Sequence, residues 1–525
     1  MKLRSLIPVL GLVSLVACSK HWPMYRHDVL RSGRQINSST LSNPALVPSL
    51  AVQWTFSVPA ADTVAGADPG FRASPVEDDG HVFIGSGNGR VYALNAATGA
   101  VLWKFPAPPA APLRSQFVCN PSSQGIASSA AIAKIGGTDA VIVGAPDPSF
   151  GTGLGEGRLF ALNAATGAVI WKSPVIAKLT GTTGGSTTEL HQQIGYSSPV
   201  VYGDRIYIGV ADHCDNPIQK GRVVSVRLND GSIDPAFTYC STGTCADSTR
   251  GGGVWSGVAV WGDGVYATTG NTNIGGSEPS PNRGLSMLKL NRTNGAVDWK
   301  FQPVPYALDW DPDWSSGPNV MSTSCGLLSV STMKDGWTHA INANAGSRKW
   351  TFPPATIPFS AADGTIHGDT DYRRAAAAWG DVFITSTGGL TVSSDLNAGF
   401  SRLHALNVCA SDADRIRWIV DVPTASGAWT LGPPTVTRGI VYVGTSNQHL
   451  IVIADPSVAP AAGWRCSNVD VTTANCIASG YTLVPQPAIL ANIALSGSML
   501  YTEPVIANGR LFVATGAGNV YMLKP

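Results

Sequence analysis

The stretch from Ser74 to Phe105 reads SPVEDDGHVFIGSGNGRVYALNAATGAVLWKF. Its apolar residues fall into short runs separated by Asp-Asp-Gly, by a Gly-Ser-Gly-Asn-Gly turn and by Ala-Ala-Thr-Gly. Runs of this length bounded by Gly, Asn and Asp read as strands joined by tight turns. No helix follows Gly85-Ser86-Gly87-Asn88-Gly89, so that loop is a turn rather than a dinucleotide-binding fingerprint. One unit is thus four short antiparallel strands. A single such sheet, apolar on both faces, cannot bury itself.

The unit recurs. A second copy ends GRLFALNAATGAVIWKSP at Pro174, and a third begins SSPVVYGDRIYIGV at Ser197. The fourth runs from Gly253 to Phe301 and the fifth from Asn319 to Phe352. The sixth ends near Trp418, and the seventh starts at Pro433. The eighth, EPVIANGRLFVATGAGNVYMLKP, lacks a fourth strand. Ala51-Val52-Gln53-Trp54-Thr55-Phe56 has the look of that strand, and no copy of its own precedes it. Eight sheets stacked radially bury one another's faces. The expected fold is therefore all-β, a single eight-bladed β-propeller of four-stranded blades over residues 49–525, with Ala51 to Phe56 closing the last blade.

Composition excludes other classes. The chain has 35 Lys and Arg against 34 Asp and Glu, a net charge of +1, and 15 Trp, 58 Gly and 36 Pro among 525 residues. A disordered chain has few aromatics and a high net charge. A long-helix protein has few Gly and Pro. Nucleic-acid surfaces carry a basic excess, so no nucleic-acid partner is expected.

At the N-terminus Lys2 and Arg4 precede an apolar run of 12 residues, Leu6 to Ala17, too short to span a bilayer. Leu15-Val16-Ala17-Cys18 resembles the lipobox of bacterial lipoproteins. That resemblance implies a signal peptide over residues 1–17, lipidation at Cys18 and an anchor or linker over 18–48. The expected location is the bacterial cell envelope, periplasmic or at the cell surface, with the membrane reached through the lipid alone. Eight further cysteines remain of the nine, and in an oxidising compartment they are expected to pair. Eight cysteines allow 105 arrangements; Cys240–Cys245 and Cys466–Cys476, close in sequence, are the expected pairs. No CxxCH occurs, so no haem is expected.

The AlNaaTGxvlWkf ending resembles the repeat of quinoprotein propellers, over nearly the whole stretch from Trp22 to Pro525. The opening HWPMYRHDVLRSG is similar to the start of such proteins too. Pyrroloquinoline quinone (PQQ) alcohol dehydrogenases share this repeat with cofactor-free outer-membrane assembly lipoproteins. Blades four and five carry more specific likenesses. Gly251-Gly252-Gly253-Val254-Trp255 resembles the GGGxxW run whose Trp lies flat against the quinone. Tyr266-Ala267-Thr268-Thr269-Gly270-Asn271 resembles a run whose Asn ligates the metal. Trp310-Asp311-Pro312-Asp313 resembles W-D-Y-D, whose first Asp is the catalytic base. Met333-Lys334-Asp335-Gly336-Trp337 resembles a run whose Lys contacts the quinone oxygens. The runs GGGIWSSP, TGNN and D-x-D-x-[GS]-x-[GS]-P of polyvinyl-alcohol dehydrogenase-like quinoproteins are similar.

The resemblance implies PQQ with Ca²⁺ or another hard cation. Asp311 is the implied base, and Trp255, Lys334, Arg72 and Arg114 the implied cofactor contacts. Asn271, Asp311, Asp313 and Asp215 are the implied metal ligands. The chemistry suits these residue types. Hard cations take carboxylate and amide oxygens, a carboxylate can take an alcohol proton, and an aromatic face can hold a flat ring. Asp309, Asp311 and Asp313 alternate, so in a strand they share a face. Three departures stand out. No adjacent Cys-Cys pair is present, Pro312 replaces an aromatic, and the Glu ligand expected in blade three has only Asp212 or Asp215 near its place. The expected function is an exported PQQ-dependent alcohol dehydrogenase that acts on an alcohol, polymeric or secondary, and passes electrons to a separate acceptor. The alternative is a non-catalytic envelope scaffold that binds other envelope proteins. The same fold hosts both.

Overall fold

The computed structural model describes residues 20–63, 67–116, 123–147, 156–177, 179–183, 186–190, 192–194, 196–212, 221–241, 245, 251–271, 283–303, 313–333, 337–352, 377–387, 400–423, 432–467, 473–499 and 501–525. Cys18, Asp215, Asp311 and Lys334 lie outside them, as do Cys119 and Cys214.

Eight antiparallel sheets form, one for each copy of the repeat; seven have four strands, and that of blade 3 carries a fifth short one, Gln192–Gln193. In blade 1 the order from axis to rim is Val76–Asp78, His81–Gly85, Val91–Asn95 and Val101–Phe105. The second and third strands are buried almost throughout, whereas the rim strand leaves Val101 and Leu102 exposed. This gradient explains the unbroken apolar runs near the middle of each copy, because those strands are covered on both faces by neighbouring blades. Ala51–Ser57 pairs with Asn519–Lys524, from Ala51 opposite Lys524 to Ser57 opposite Asn519, with a bulge between Val52 and Trp54. The expected ring closure is therefore what forms. In blade 7 the rim strand Ala488–Ala494 follows an inserted hairpin, Gly463–Cys466 paired with Leu483–Gln486.

Core clusters lie between blades rather than within them. Ile84, Tyr92, Tyr442, Leu450, Phe512 and Leu523 join blades 7, 8 and 1, and Phe83, Trp103, Val141 and Phe160 join blades 1 and 2. The repeated Trp adds a directed contact. Trp103 Nε1 donates to the Ala164 carbonyl of the next blade at 2.8 Å, Trp171 to Leu228 at 2.9 Å, Trp299 to Ala343 at 3.0 Å and Trp350 to Val408 at 2.8 Å. Each receiving carbonyl lies in the turn that follows the third strand of the next blade, which in blade 2 carries the Thr-Gly signature. The expected disulfides Cys240–Cys245 and Cys466–Cys476 form, and a third, Cys325–Cys409, ties blade 5 to blade 6.

Within the stretch expected as an anchor or linker, residues 20–36 occupy the axial channel. Backbone bonds join Lys20 to Asn508, Trp22 to Glu77, Pro23 to Ile132, Val29 to Val260, Leu30 to Val320, Ser32 to Ala378 and Gly33 to Val436. Those partners belong to blades 8, 1, 2, 4, 5, 6 and 7. Blade 3 is reached by Arg31, whose guanidinium donates to the Ser198 carbonyl at 2.7 Å. One short segment thus touches the innermost part of every blade. Arg26, buried to 1% exposure, pairs with Glu503 at 2.8 Å. Among the described residues no helix is long and apolar enough to cross a membrane.

Candidate functional site

Antiparallel blades present two kinds of connection at opposite ends of the channel. The loops that lead into each innermost strand share one end with the turns between second and third strands. Gly251 to Val258 leads into blade 4, and Thr269-Gly270-Asn271 follows that blade's second strand, Gly264–Thr268. Asp313 to Pro318 leads into blade 5. All three fall at the same end.

Backbone bonds hold the three together. Gly252 N–H donates to the Asn271 carbonyl at 2.6 Å, and Gly270 N–H to the Gly253 carbonyl at 2.7 Å. A Cβ at Gly270 would lie 2.8 Å from Asp313 Oδ1, so a larger residue there would have to displace that carboxylate. The Asp313 carboxylate therefore rests against the residue next to Asn271. The loop carrying Asp313 is fixed in turn to blade 5. Trp314 bridges Met333, Ser315 Oγ donates to the Thr332 carbonyl at 2.9 Å, and Ser316 Oγ meets Ser331 Oγ at 2.7 Å. Thr268 Oγ1 ties blade 4 to the same loop through the Ser316 carbonyl, at 2.9 Å. Asn271 and Asp313 are 4% and 5% exposed. The Asn271 amide and the Asp313 carboxylate, both buried and carried on these joined loops, are hard oxygen donors of the kind that suits Ca²⁺ or a similar ion. Among the described residues no three His, Cys, Asp or Glu side chains form a metal cluster by themselves. Asp311 and Lys334, expected beside this patch, lie outside the described residues, as does Asp215.

Trp255 is half-buried at the same end of the channel. Arg72, which leads into blade 1, lies 3.3 Å from Asp68 and over the Tyr501 ring at 5.5 Å. Arg114, which leads into blade 2, is also half-buried, and burial pulls its guanidinium below the usual arginine value against the opposing charge of Asp68. The structure thus brings Asn271 together with Asp313, and Arg72 together with an aromatic group reaching Trp255.

That aromatic group went unread in the sequence. Tyr196 lies 6.4 Å from Trp255 at 76°, and Tyr501 stacks on Tyr196 at 5.4 Å and 4°. A signal was available. Innermost strands begin at Val76, Val200, Ala259 and Val505, and Arg72, Tyr196, Trp255 and Tyr501 each stand four residues earlier. Equivalent positions of a radial repeat form a ring about the axis, so large side chains there must meet.

The residues present fit a flat, anionic, metal-linked cofactor: an indole face, two guanidinium groups and a pair of buried hard oxygen donors. The chain is also similar to known proteins. Residues 22–330 match the family described as "PQQ: Glucose/ethanol/alcohol dehydrogenase, beta-propeller domain". The chain is 26% identical over 318 residues to the quinoprotein alcohol dehydrogenase PedH of Pseudomonas putida, a match covering 54% of this chain and 46% of PedH. It therefore spans about half the length of that curated relative. Among solved structures, a quinohemoprotein alcohol dehydrogenase from Comamonas testosteroni superposes with a TM-score of 0.66 at 15% identity, over 97% of this chain and 81% of that one. A europium-containing methanol dehydrogenase gives 0.66 at 14% identity, over 97% and 99%. At these identities the two structures share the fold.

Proposed function

The chain belongs to the PQQ β-propeller family of glucose, ethanol and alcohol dehydrogenases, and from that premise we propose that it is an exported PQQ-dependent alcohol dehydrogenase. The observation that supports this most is the convergence of three separate sequence runs on one patch. The Gly252–Asn271 and Gly253–Gly270 bonds and the Asp313 carboxylate against Gly270 assemble two hard oxygen donors beside the loop that bears Trp255. A propeller that only bound protein partners would not need buried carboxylate and amide oxygens paired there.

Asn271 and Asp313, with Asp311, would hold Ca²⁺ or another hard cation. Trp255 would carry the flat ring on its indole face, and Arg72 and Arg114 would meet its carboxylates. When bound, PQQ supplies the two-electron acceptor for alcohol oxidation, with the cation polarising its reactive carbonyl. The protein's part is to orient and to move a proton. Asp311 would accept the hydroxyl proton of the alcohol at its carboxylate. Lys334 would stabilise the negative charge that develops on nearby oxygens. A separate acceptor would take the electrons onward. Lipidation at Cys18, after removal of residues 1–17, would keep this chemistry at the cell envelope.

The test is titration of the purified protein with PQQ, first with Ca²⁺ and then with a lanthanide, followed by a dye-linked assay with primary, secondary and polymeric alcohols. Saturable PQQ binding that depends on the cation, with alcohol-dependent dye reduction, is expected. No binding with either cation would sink the enzyme reading.

A further inference from the structure

Trp255 is one of a chain of side chains at its end of the channel. Tyr196 meets it at a ring separation of 6.4 Å and 76°, edge against face, and Tyr501 lies parallel to Tyr196 at 5.4 Å. The Arg72 guanidinium covers Tyr501 at 5.5 Å. The four come from blades 1, 3, 4 and 8, so the chain of contacts crosses the axis. Rings joined edge to face and then in parallel restrict one another's tilt, since turning either one forfeits a contact.

The loops beneath are held as firmly. Arg31 donates to the Ser198 carbonyl at 2.7 Å and to the Val258 carbonyl at 2.8 Å. Those carbonyls lie two and three residues after Tyr196 and Trp255 respectively. A single buried guanidinium therefore sets the spacing of the two loops. The third loop is set by Arg26, which pairs with Glu503, two residues after Tyr501.

We propose that Tyr196, backed by Tyr501, is a positioning residue for Trp255: it fixes the tilt of the indole that receives a flat ligand. The inference rests on the cofactor reading above. An indole free to rock would present its face to the ligand only part of the time, and binding weakens by that fraction. Tyr501 reaches Trp255 through Tyr196, on whose ring it stacks, and it also lies under Arg72.

Calorimetric titration of the full chain with PQQ and Ca²⁺ tests this, with circular dichroism confirming the fold of each variant. Tyr196→Ala should raise the Kd about 10-fold, a change of roughly 1.4 kcal/mol. Tyr196→Phe should bind as the parent does, because the contact is made by the ring. Tyr501→Ala should weaken binding by less, and in a chain that keeps Arg72→Ala as background it should add nothing when Tyr196 is already Ala. Equal PQQ affinity in the parent and Tyr196→Ala would overturn the proposal while leaving the cofactor reading intact. A full additional loss from Tyr501→Ala in that background would overturn the ordering. A parent protein that binds no PQQ would remove both.

Discussion

The indole of Trp54, in the strand that completes blade 8, donates its Nε1–H to the Ala96 carbonyl of blade 1 at 3.3 Å. Beneath it lies Gly99, at φ +73°, where a Cβ would sit 2.7 Å from Trp54 Cδ2. The N-terminal strand thus docks on the first blade as Trp103 docks on the second, and the ring closes by the contact that also ties blades 1, 2, 4 and 5 to their next neighbours. Trp54→Ala should cost about 3 kcal/mol, the low end for losing a large aromatic from a packed site. Urea unfolding measures it. Trp464→Ala is the control, since that ring is 59% exposed and should change stability by no more than about 0.5 kcal/mol. An equal loss in both would show that docking does not hold the ring closed.

The same docking explains why the fold could be read from the sequence. A turn that accepts an indole, and a rim strand that supplies one, mark blades 1, 2, 4, 5 and 8, and the apolar strand runs between Gly, Asp and Asn turns mark the rest. The N-terminal segment could not be read this way. Its bonds to the blades are mostly backbone bonds, which leave no trace in residue type, and Arg26 and Arg31 look like surface residues in the sequence. Cys325 and Cys409 are 84 residues apart and meet only because neighbouring blades set two turns side by side. Asn271 and Asp313 stand out through their flanking runs, and the structure sets the two runs against each other. Tyr196 and Tyr501 were not, because each looks ordinary in its own copy and only superposed copies put it on the ring with Trp255.

The Arg26–Glu503 pair predicts a particular response to mutation. Burial raises the Glu503 carboxyl above its usual value, and Arg26 pulls it back. Arg26→Ala leaves a buried carboxylate without its partner and should cost about 3–5 kcal/mol at pH 7. A carboxyl with a raised folded pKa contributes stability that is present below the unfolded value of 4.5 and is lost as pH rises through the folded one. The deficit of Arg26→Ala should therefore shrink at pH 5, where Glu503 can take up a proton. Adding Glu503→Gln should restore part of the loss at pH 7. Chemical denaturation at the two pH values decides, and a deficit that grows on acidification would count against the assignment.

Asp455 responds to pH in the opposite sense. Burial alone would raise its carboxyl, but bonds from Arg417, Ser457 and Trp418 outweigh burial, so it lies below the usual 3.8. Trp418 Nε1 reaches it at 2.7 Å and Arg417 at 2.8 Å through two nitrogens. A depressed carboxylate contributes stability that is present above its unfolded value and is lost as pH falls through the folded one. Asp455→Asn should cost about 3 kcal/mol at pH 7, and the two stability curves should converge as pH drops below 3.8. Parallel curves down to pH 3 would place the acid sensitivity elsewhere.

The roles proposed for Trp255, Asp313 and Asp311 should separate by what each variant loses. Trp255→Ala removes the face on which a flat ring would rest and should weaken PQQ binding by roughly 1–3 kcal/mol. Asp313→Ala removes a buried oxygen donor beside Asn271, so cation affinity should fall first and PQQ affinity should fall only as far as it depends on the cation. Asp311→Asn is the informative case. An amide can still ligate through its oxygen but cannot take a proton, so cation and PQQ binding should persist in part while turnover disappears. Titration calorimetry gives the binding terms and dye reduction gives the turnover. If Asp311→Asn kept full activity, the base would have to be another residue. If Asp313→Ala left cation binding unchanged, the Asn271–Asp313 pair would not be the metal site.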